Sequence, residues 1–283
     1  MKTIKSLVKK ILGRNEKYGF FGFYSSWAEA QSASTGWHAD NILEKVKTSL
    51  LKVKNGQAMY ERDSALFDKP QYSWPLLASL ERIALENDGE LNVLDFGGSL
   101  GTTYFQNRPF LSGLKKLSWN IVEQKNYVRI GRESFVSDEL HFFDNWSNAV
   151  AESKADVLIV SSVIQYLEKP FEQIQKFSDT GFEYIIFDRT SFIESTNDKI
   201  AVQKVKPSIY EASFPIWFFN YEKFLQIFHS KYDIIAEFKA FVAEKYEVNG
   251  VQGGDRGFIL KKKALAPFNP DGDNTMKLNH RKD

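Results

Sequence analysis

No cysteine occurs among the 283 residues, which excludes a disulfide framework, a thiolate metal site and a cysteine nucleophile. Histidine is scarce too, at four residues, and no cluster of acids and histidines has ligand spacing, so no metal is expected. A basic excess is missing: 37 Lys plus Arg stand against 36 Asp plus Glu, which argues against a dedicated nucleic-acid surface. No apolar run approaches the roughly 20 residues of a membrane-spanning helix, and the longest, 157–164, is interrupted by Ser161 and Ser162. The basic N-terminus is followed by neither an apolar h-region nor a small-residue cleavage site, so the expected location is cytoplasmic.

Aromatic residues, by contrast, make up 15% of the chain, with 24 Phe, 12 Tyr and 6 Trp. Six of these rings fall between Tyr18 and Trp27, and seven between Phe214 and Phe228. The length suits one large α/β domain or a domain with an appended lid. Over the first 14 residues Ile4, Leu7, Val8, Ile11 and Leu12 share one helical face and Lys2, Lys5, Lys9, Lys10 and Arg14 the other. Such a helix packs on the body of the protein or on a partner subunit in a homo-oligomer, or makes peripheral contact with an anionic membrane, as at the inner membrane face.

Residues 15–90 read as helices and loops, so that 1–72 form an N-terminal cap or lid. One helix is expected from about Asp40, a plausible N-cap, to Val53, and another from Trp74 or Pro75 to Glu86, ended by Asn87, Asp88 and Gly89. From residue 91 short apolar strands alternate with helices, the pattern of a mostly parallel α/β sheet. The strands expected are 92–96, 119–123, 140–143, 156–161 and 184–188. An insertion over about 189–219 follows, then a helix capped by Asn220 that carries Phe224, Leu225 and Phe228. Two closing strands near 233–241 and 257–261 read as an antiparallel pair. The α/β domain thus spans 73–263, with a polar tail over 264–283.

The most informative segment is Asp95-Phe-Gly97-Gly98-Ser99-Leu-Gly101, where an apolar strand ends in an acid and a Gly-rich turn leads into a helix. Glycine lets backbone approach a nucleotide closely, and the helix start adds oriented N–H groups. Neither the dinucleotide G-x-G-x-x-G nor the P-loop Lys-Ser/Thr pair is present. The turn resembles the first motif of class I S-adenosylmethionine-dependent methyltransferases, an acid followed by G-x-G-x-G, with Ser99 in place of the middle glycine. A tight strand-to-helix turn without ligand is the plain alternative. The later strand ends strengthen the resemblance: Glu123 with Gln124 stands where an acid would hold ribose hydroxyls, Asp144 and Asn145 where polar groups would meet the adenine. Ser161, Ser162 and Tyr166 lie in the fourth-strand motif that lines the cofactor and the reacting methyl. The antiparallel last strand, Arg256-Gly-Phe-Ile-Leu, also fits.

The resemblance therefore implies a Rossmann-like class I methyltransferase sheet with an N-terminal helical cap, S-adenosylmethionine as cofactor and S-adenosylhomocysteine as product. Flanking segments, among them 19–30, 36–40, Tyr60-Glu-Arg62-Asp63-Ser, Phe187-Asp188-Arg189-Thr190 and 209–217, are similar to methyltransferases encoded in bacterial surface-polysaccharide gene clusters. That narrower resemblance implies O-methylation of a sugar or glycan precursor, as in lipopolysaccharide O-antigen, with a small-molecule or lipid-linked glycan as acceptor.

A sugar hydroxyl needs a general base within hydrogen-bond reach. His38 is one candidate and Asp188, at the carboxyl end of the fifth strand, another. His38 can equally bond a nearby carbonyl, and Asp188 with Arg189 can be a structural ion pair. Tyr166, Arg189 and Tyr210 are candidates for positioning a polar or anionic acceptor, and Arg62 for binding it. Aromatic rings attract a sulfonium and stack on sugar faces, which singles out Tyr24, Trp27, Tyr166, Tyr210 and Trp217; most Phe residues read as core. Two rival readings are a binding or scaffold protein that has lost turnover and a nicotinamide-dependent sugar oxidoreductase, the latter disfavoured by the missing G-x-G-x-x-G.

Overall fold

Strand and helix alternate along the chain because each apolar run is short and is followed by an amphipathic segment that can cover it. The computed structural model describes residues 18–36, 39–69, 71–207, 209 and 211–264. The amphipathic segment 1–14, His38, Tyr210, the Asp40 side chain and the tail beyond Ala264 lie outside these.

The parallel part of the main sheet comprises β4 (Glu90–Phe96), β5 (Lys116–Val122), β6 (Leu140–Phe143), β7 (Val157–Ser161) and β8 (Tyr184–Ile193). With β11 (Tyr232–Lys239) and β13 (Val251–Lys262) the spatial order is β11-β13-β8-β7-β4-β5-β6. β13 runs antiparallel to both its neighbours, while β4 is parallel to β5 on one side and to β7 on the other. This is the class I methyltransferase sheet that the resemblance implies. Its first strand, β4, has its sequence successors on one side and the later strands on the other, so the order reverses between β4 and β7.

Alternate residues of each strand serve opposite layers. Val93, Ile121, Val157 and Ile159 pack with Ile42 and Leu50 of α2 (Ala39–Lys54) and with Leu77 and Leu80 of α3 (Trp74–Glu86). Leu94, Leu158, Val160 and Ile185 pack with Ala149 of α6 (Trp146–Ser153), Ile174 and Phe177 of α7 (Pro170–Thr180), and Phe224 of α8 (Tyr221–Gln226). All four strand residues in that second group have no exposed surface, and each contributes about 1.5–3 kcal/mol by leaving water. The helices α4 (Thr102–Asn107) and α5 (Lys125–Ser134) follow β4 and β5.

The N-terminal segment departs from an all-helical reading. Residues Gly19–Tyr24 form β1, followed by the short helix α1 (Trp27–Ser32). Tyr60–Arg62 and Ala65–Phe67 form a hairpin, β2 and β3. Within the 189–219 insertion, β8 continues to Ile193, and β9 (Lys199–Lys204) and β10 (Ser213–Phe218) join β1 in a second antiparallel sheet, ordered β1-β9-β10. Strand β1 shows no alternation of burial, all six residues being half-buried, so it carries no period-2 signal; its pairing partner lies about 180 residues away in the chain. A further short strand, β12 (Tyr246–Val248), pairs with β13, and α8 ends at Gln226, before Phe228.

Candidate active site

The reversal of strand order between β4 and β7 leaves a crevice over their carboxyl ends, the place where open α/β sheets bind ligands. A cleft of about 390 Å³ lies there, within the roughly 300–1,000 Å³ of ordinary small-molecule sites. Its floor is the turn after β4. Gly97 (φ +72°), Ser99 (φ 55°) and Gly101 (φ 107°) are all left-handed, and Gly101 stands at the N-cap of α4. A Cβ on Gly98 would lie 2.6 Å from the Asp95 carboxyl, and one on Gly97 2.3 Å from Val163. The glycines therefore let the turn fold back over its own acid and against the loop after β7.

Asp95 is buried and accepts a hydrogen bond from Trp119 Nε1 at 3.0 Å. Burial pushes its carboxyl up to about 7, opposed by the Trp119 hydrogen bond, while the Glu123 charge adds to the rise and Arg189 works against it. Glu123, at the end of β5, accepts from the Gln124 amide at 2.7 Å and from the Ser99 amide, and desolvation raises it despite these bonds. A third acid arrives from the hairpin. Its Asp63-Ser64 turn has two consecutive left-handed residues (φ 51° and 64°), the geometry of a type I′ hairpin turn. Glu61 accepts from the Ser64 amide at 2.6 Å and from Thr102 Oγ1, at the start of α4, at 2.7 Å. Desolvation raises Glu61 as well. Glu61, Asp63, Asp95 and Glu123 line the cleft against two guanidinium groups, Arg62 and Arg189. Desolvation leads the shifts of Glu61, Asp95 and Glu123, so these carboxylates lack the solvation a cationic ligand would replace.

Beyond β7 a bulge shapes the site. Arg256 pairs with Thr190 and Phe258 with Phe187, so Asp188 and Arg189 together oppose the single Gly257. Arg189 is left-handed (φ 52°), and a Cβ on Gly257 would sit 2.7 Å from the Phe187 carbonyl oxygen. Bulges beside active sites turn a side chain out of the strand plane, and here Arg189 lines the cleft while Asp188 stays buried. Ser161 Oγ joins the two: it donates to Asp188 Oδ2 at 3.3 Å and lies 3.3 Å from Arg189 Nε and Nη2. Burial raises Asp188, countered first by Arg189 and then by Ser161. Burial opposes the Arg189 charge, but Asp188, Asp63, Tyr60 and Asp255 outweigh it.

The structure gathers most of the sequence candidates around this cleft: Asp95, Gly97, Gly98, Ser99, Glu123, Gln124, Ser161, Ser162 and Tyr166 line it, with Arg62 and Arg189. Gly101 acts through the turn. Asp188 reaches the cleft through Ser161. Asp144 and Asn145 are exposed and do not line it; Asn145 caps α6, accepting from the Asn148 amide at 3.0 Å. Tyr24, Trp27 and Trp217 pack on the outer face of the second sheet with Ile200 and Val202, Trp27 and Trp217 stacked at 6.2 Å. The ring-rich stretch from Phe214 to Phe228 is chiefly core: Phe218, Phe219, Phe224 and Phe228 have no exposed surface. Phe214 is the member of that stretch that reaches the cleft. Lining residues that went unread in the sequence include Thr102, Tyr127, Gln203 and Val205. Among the described residues no group of three or more acids and histidines could hold a metal ion, and no helix is long and apolar enough to cross a membrane.

No protein-family model matches the chain, and no curated protein sequence does. Among solved structures it is similar to the N-terminal domain of EvdMO1 in the presence of SAH and D-fucose, with 9% identity, 81% of this chain and 100% of that one covered, and a TM-score of 0.46. It is similar also to the N-methyltransferase NodS from Bradyrhizobium japonicum WM9 in complex with S-adenosylhomocysteine (10%, 80% and 100%, TM-score 0.41). A third is SAM-bound CalS10, an amino pentose methyltransferase from Micromonospora echinaspora (12%, 68% and 92%, TM-score 0.39). The likeness is one of fold, and the chain's own strand order carries the assignment to that fold.

Proposed function

We propose that the cleft binds S-adenosylmethionine and that the chain methylates a hydroxyl of a sugar or glycan precursor. The observation that carries the reading is the acid-lined Gly-rich turn at the switch point of a class I sheet, with Glu123 at the end of the neighbouring strand. The backbone of Gly97 and Gly98 would hold the amino-acid end of the cofactor, Glu123 the ribose hydroxyls, and the excess of carboxyls would favour its positive charge. When bound, S-adenosylmethionine supplies a methyl group activated by a sulfonium and leaves as S-adenosylhomocysteine.

The remaining chemistry belongs to the residues present. Ser161 Oγ would take the acceptor's hydroxyl proton and hand its own to Asp188, freeing the acceptor oxygen to displace S-adenosylhomocysteine from the methyl group. Arg189 holds Ser161 in place, and its charge keeps Asp188 available as a base. Positioning supplies much of the rest, since oriented reactants reach effective molarities of about 10⁵ M or more. The narrower role, in bacterial surface-polysaccharide assembly at the cytoplasmic face on a small-molecule or lipid-linked acceptor, rests on the resemblance of the flanking segments.

Calorimetric titration tests the cofactor directly: S-adenosylmethionine and S-adenosylhomocysteine are expected to bind, and NAD is not. Preference for NAD would replace the reading with an oxidoreductase, and no binding by any of the three with a scaffold. Methyl uptake from labelled cofactor by nucleotide-activated sugars and lipid-linked glycans then identifies the acceptor.

A further inference from the structure

The cleft wall facing the Gly-rich turn is made by the second sheet, and one residue on it is out of character. β9 turns Ile200 and Val202 toward α1, and Ala201 toward Ile216, Phe218 and Phe20 on the inner face. Gln203 follows Ala201 on that inner face and lines the cleft. The register places Phe20 of β1 beside it on one strand and Phe214 of β10 on the other. A primary amide between two phenyl groups loses hydration and has to recover it through hydrogen bonds. Tyr166 satisfies one end, its hydroxyl donating to Gln203 Oε1 at 2.9 Å. Gln203 lines the cleft, so with its carbonyl end fixed by Tyr166 the two N–H donors face that space.

The surroundings of that amide are apolar. Val205 and Ile209 continue the wall as half-buried side chains, backed by the buried Phe214, Ile42 and Val46. A fully hydroxylated sugar ring laid against these side chains would bury hydroxyls with no partner, whereas a ring that carries a methyl group in place of one hydroxyl matches them. Building on the methyl-transfer reading above, we infer that this wall is the acceptor subsite and that it takes a 6-deoxy sugar. The methyl-bearing edge lies against Val205 and Ile209, and a ring hydroxyl accepts from Gln203 Nε2.

The test uses the full chain, labelled S-adenosylmethionine, and a panel of nucleotide-activated hexoses paired with their 6-deoxy counterparts. The 6-deoxy member is expected to exceed its hexose by at least tenfold in kcat/KM. Gln203→Glu keeps an oxygen for Tyr166 but removes both donors. It and Gln203→Ala should raise acceptor KM at least tenfold, leaving kcat within threefold and S-adenosylhomocysteine affinity within twofold by calorimetry. Val205→Ser should narrow the 6-deoxy preference several-fold. Equal or better use of hexoses, methylation of no panel sugar by a protein that binds the cofactor, or Gln203 variants that lose cofactor affinity in step with KM would each overturn the inference. A wild-type protein that binds no S-adenosylmethionine would instead overturn the earlier reading.

Discussion

Asp95 shows how one carboxyl can serve a fold and cost it stability at once. Its pKa is 3.8 in an unfolded chain and about 7 here, so between those values the folded form keeps a proton that the unfolded form releases. Stability contributed by this group therefore falls as pH rises from about 4 to about 7, by at most roughly 4 kcal/mol. Asp95→Asn removes the dependence, and urea unfolding at pH 4 and pH 8 should show the variant gaining about 1–4 kcal/mol on the wild type over that interval; parallel profiles would disprove it. The sign reverses for a cationic ligand. With Glu123 adding to the negative field and Arg189 subtracting from it, a sulfonium favours ionised Asp95. The affinity ratio of S-adenosylmethionine to S-adenosylhomocysteine should then rise about 3–10-fold between pH 6 and pH 8. Steric demand at the same turn gives a second expectation. Trp119 holds the Asp95 carboxyl in place, so it cannot swing away from a methyl 2.6 Å distant. Gly98→Ala should weaken S-adenosylhomocysteine binding at least tenfold by calorimetry.

At the scale of elements, caps and registers separate structural residues from functional ones. Asn220 Oδ1 accepts from the Lys223 amide at 2.9 Å and its Nδ2 donates to the Ser195 carbonyl at 2.7 Å, tying α8 to the loop after β8. Asn220→Ala should cost about 1–2 kcal/mol in urea unfolding with cofactor affinity unchanged; an equal loss of affinity would place α8 within the site's support. The parallel strands were legible in the sequence because their signal is local: an apolar run, a polar end, then a helical segment. The second sheet was not, since β1 has six half-buried residues without alternation and gains its meaning only from β9. Ring content likewise says nothing about direction. Trp217 and Phe214 sit three residues apart in β10, and strand parity sends the first to the outer face and the second to the cleft. Gln203 did leave a trace, as the polar residue closing the run Ile200-Ala201-Val202, but only the register reveals that it faces inward. Tyr60-Glu-Arg-Asp63 was recognisable as a charged cluster, while the contact of Glu61 with Thr102 depends on a hairpin turn of two left-handed residues.

Over the whole molecule, a formal net charge of +1 conceals a local imbalance, four carboxyls against two guanidiniums around one cleft. Binding there should be visible as global stabilisation. At a ligand concentration of 100 Kd the gain is about 2.7 kcal/mol, which for a domain of this size raises Tm by roughly 5–10 °C. Scanning fluorimetry with S-adenosylhomocysteine should show that rise and NAD should leave Tm unmoved; the opposite pattern would contradict the cofactor assignment. The pairing of Gly19 with Lys204 has a further consequence during synthesis. A ribosome adding about 5–20 residues per second delivers β9 some 10–40 s after β1 has emerged. Phe20, Phe21 and Phe23 spend that interval without their sheet, in a nascent chain whose first Gly-rich turn can already be closing. The second-sheet wall of the cleft is thus assembled well after the Gly-rich turn, and those three rings are where a chaperone would find the unfinished protein.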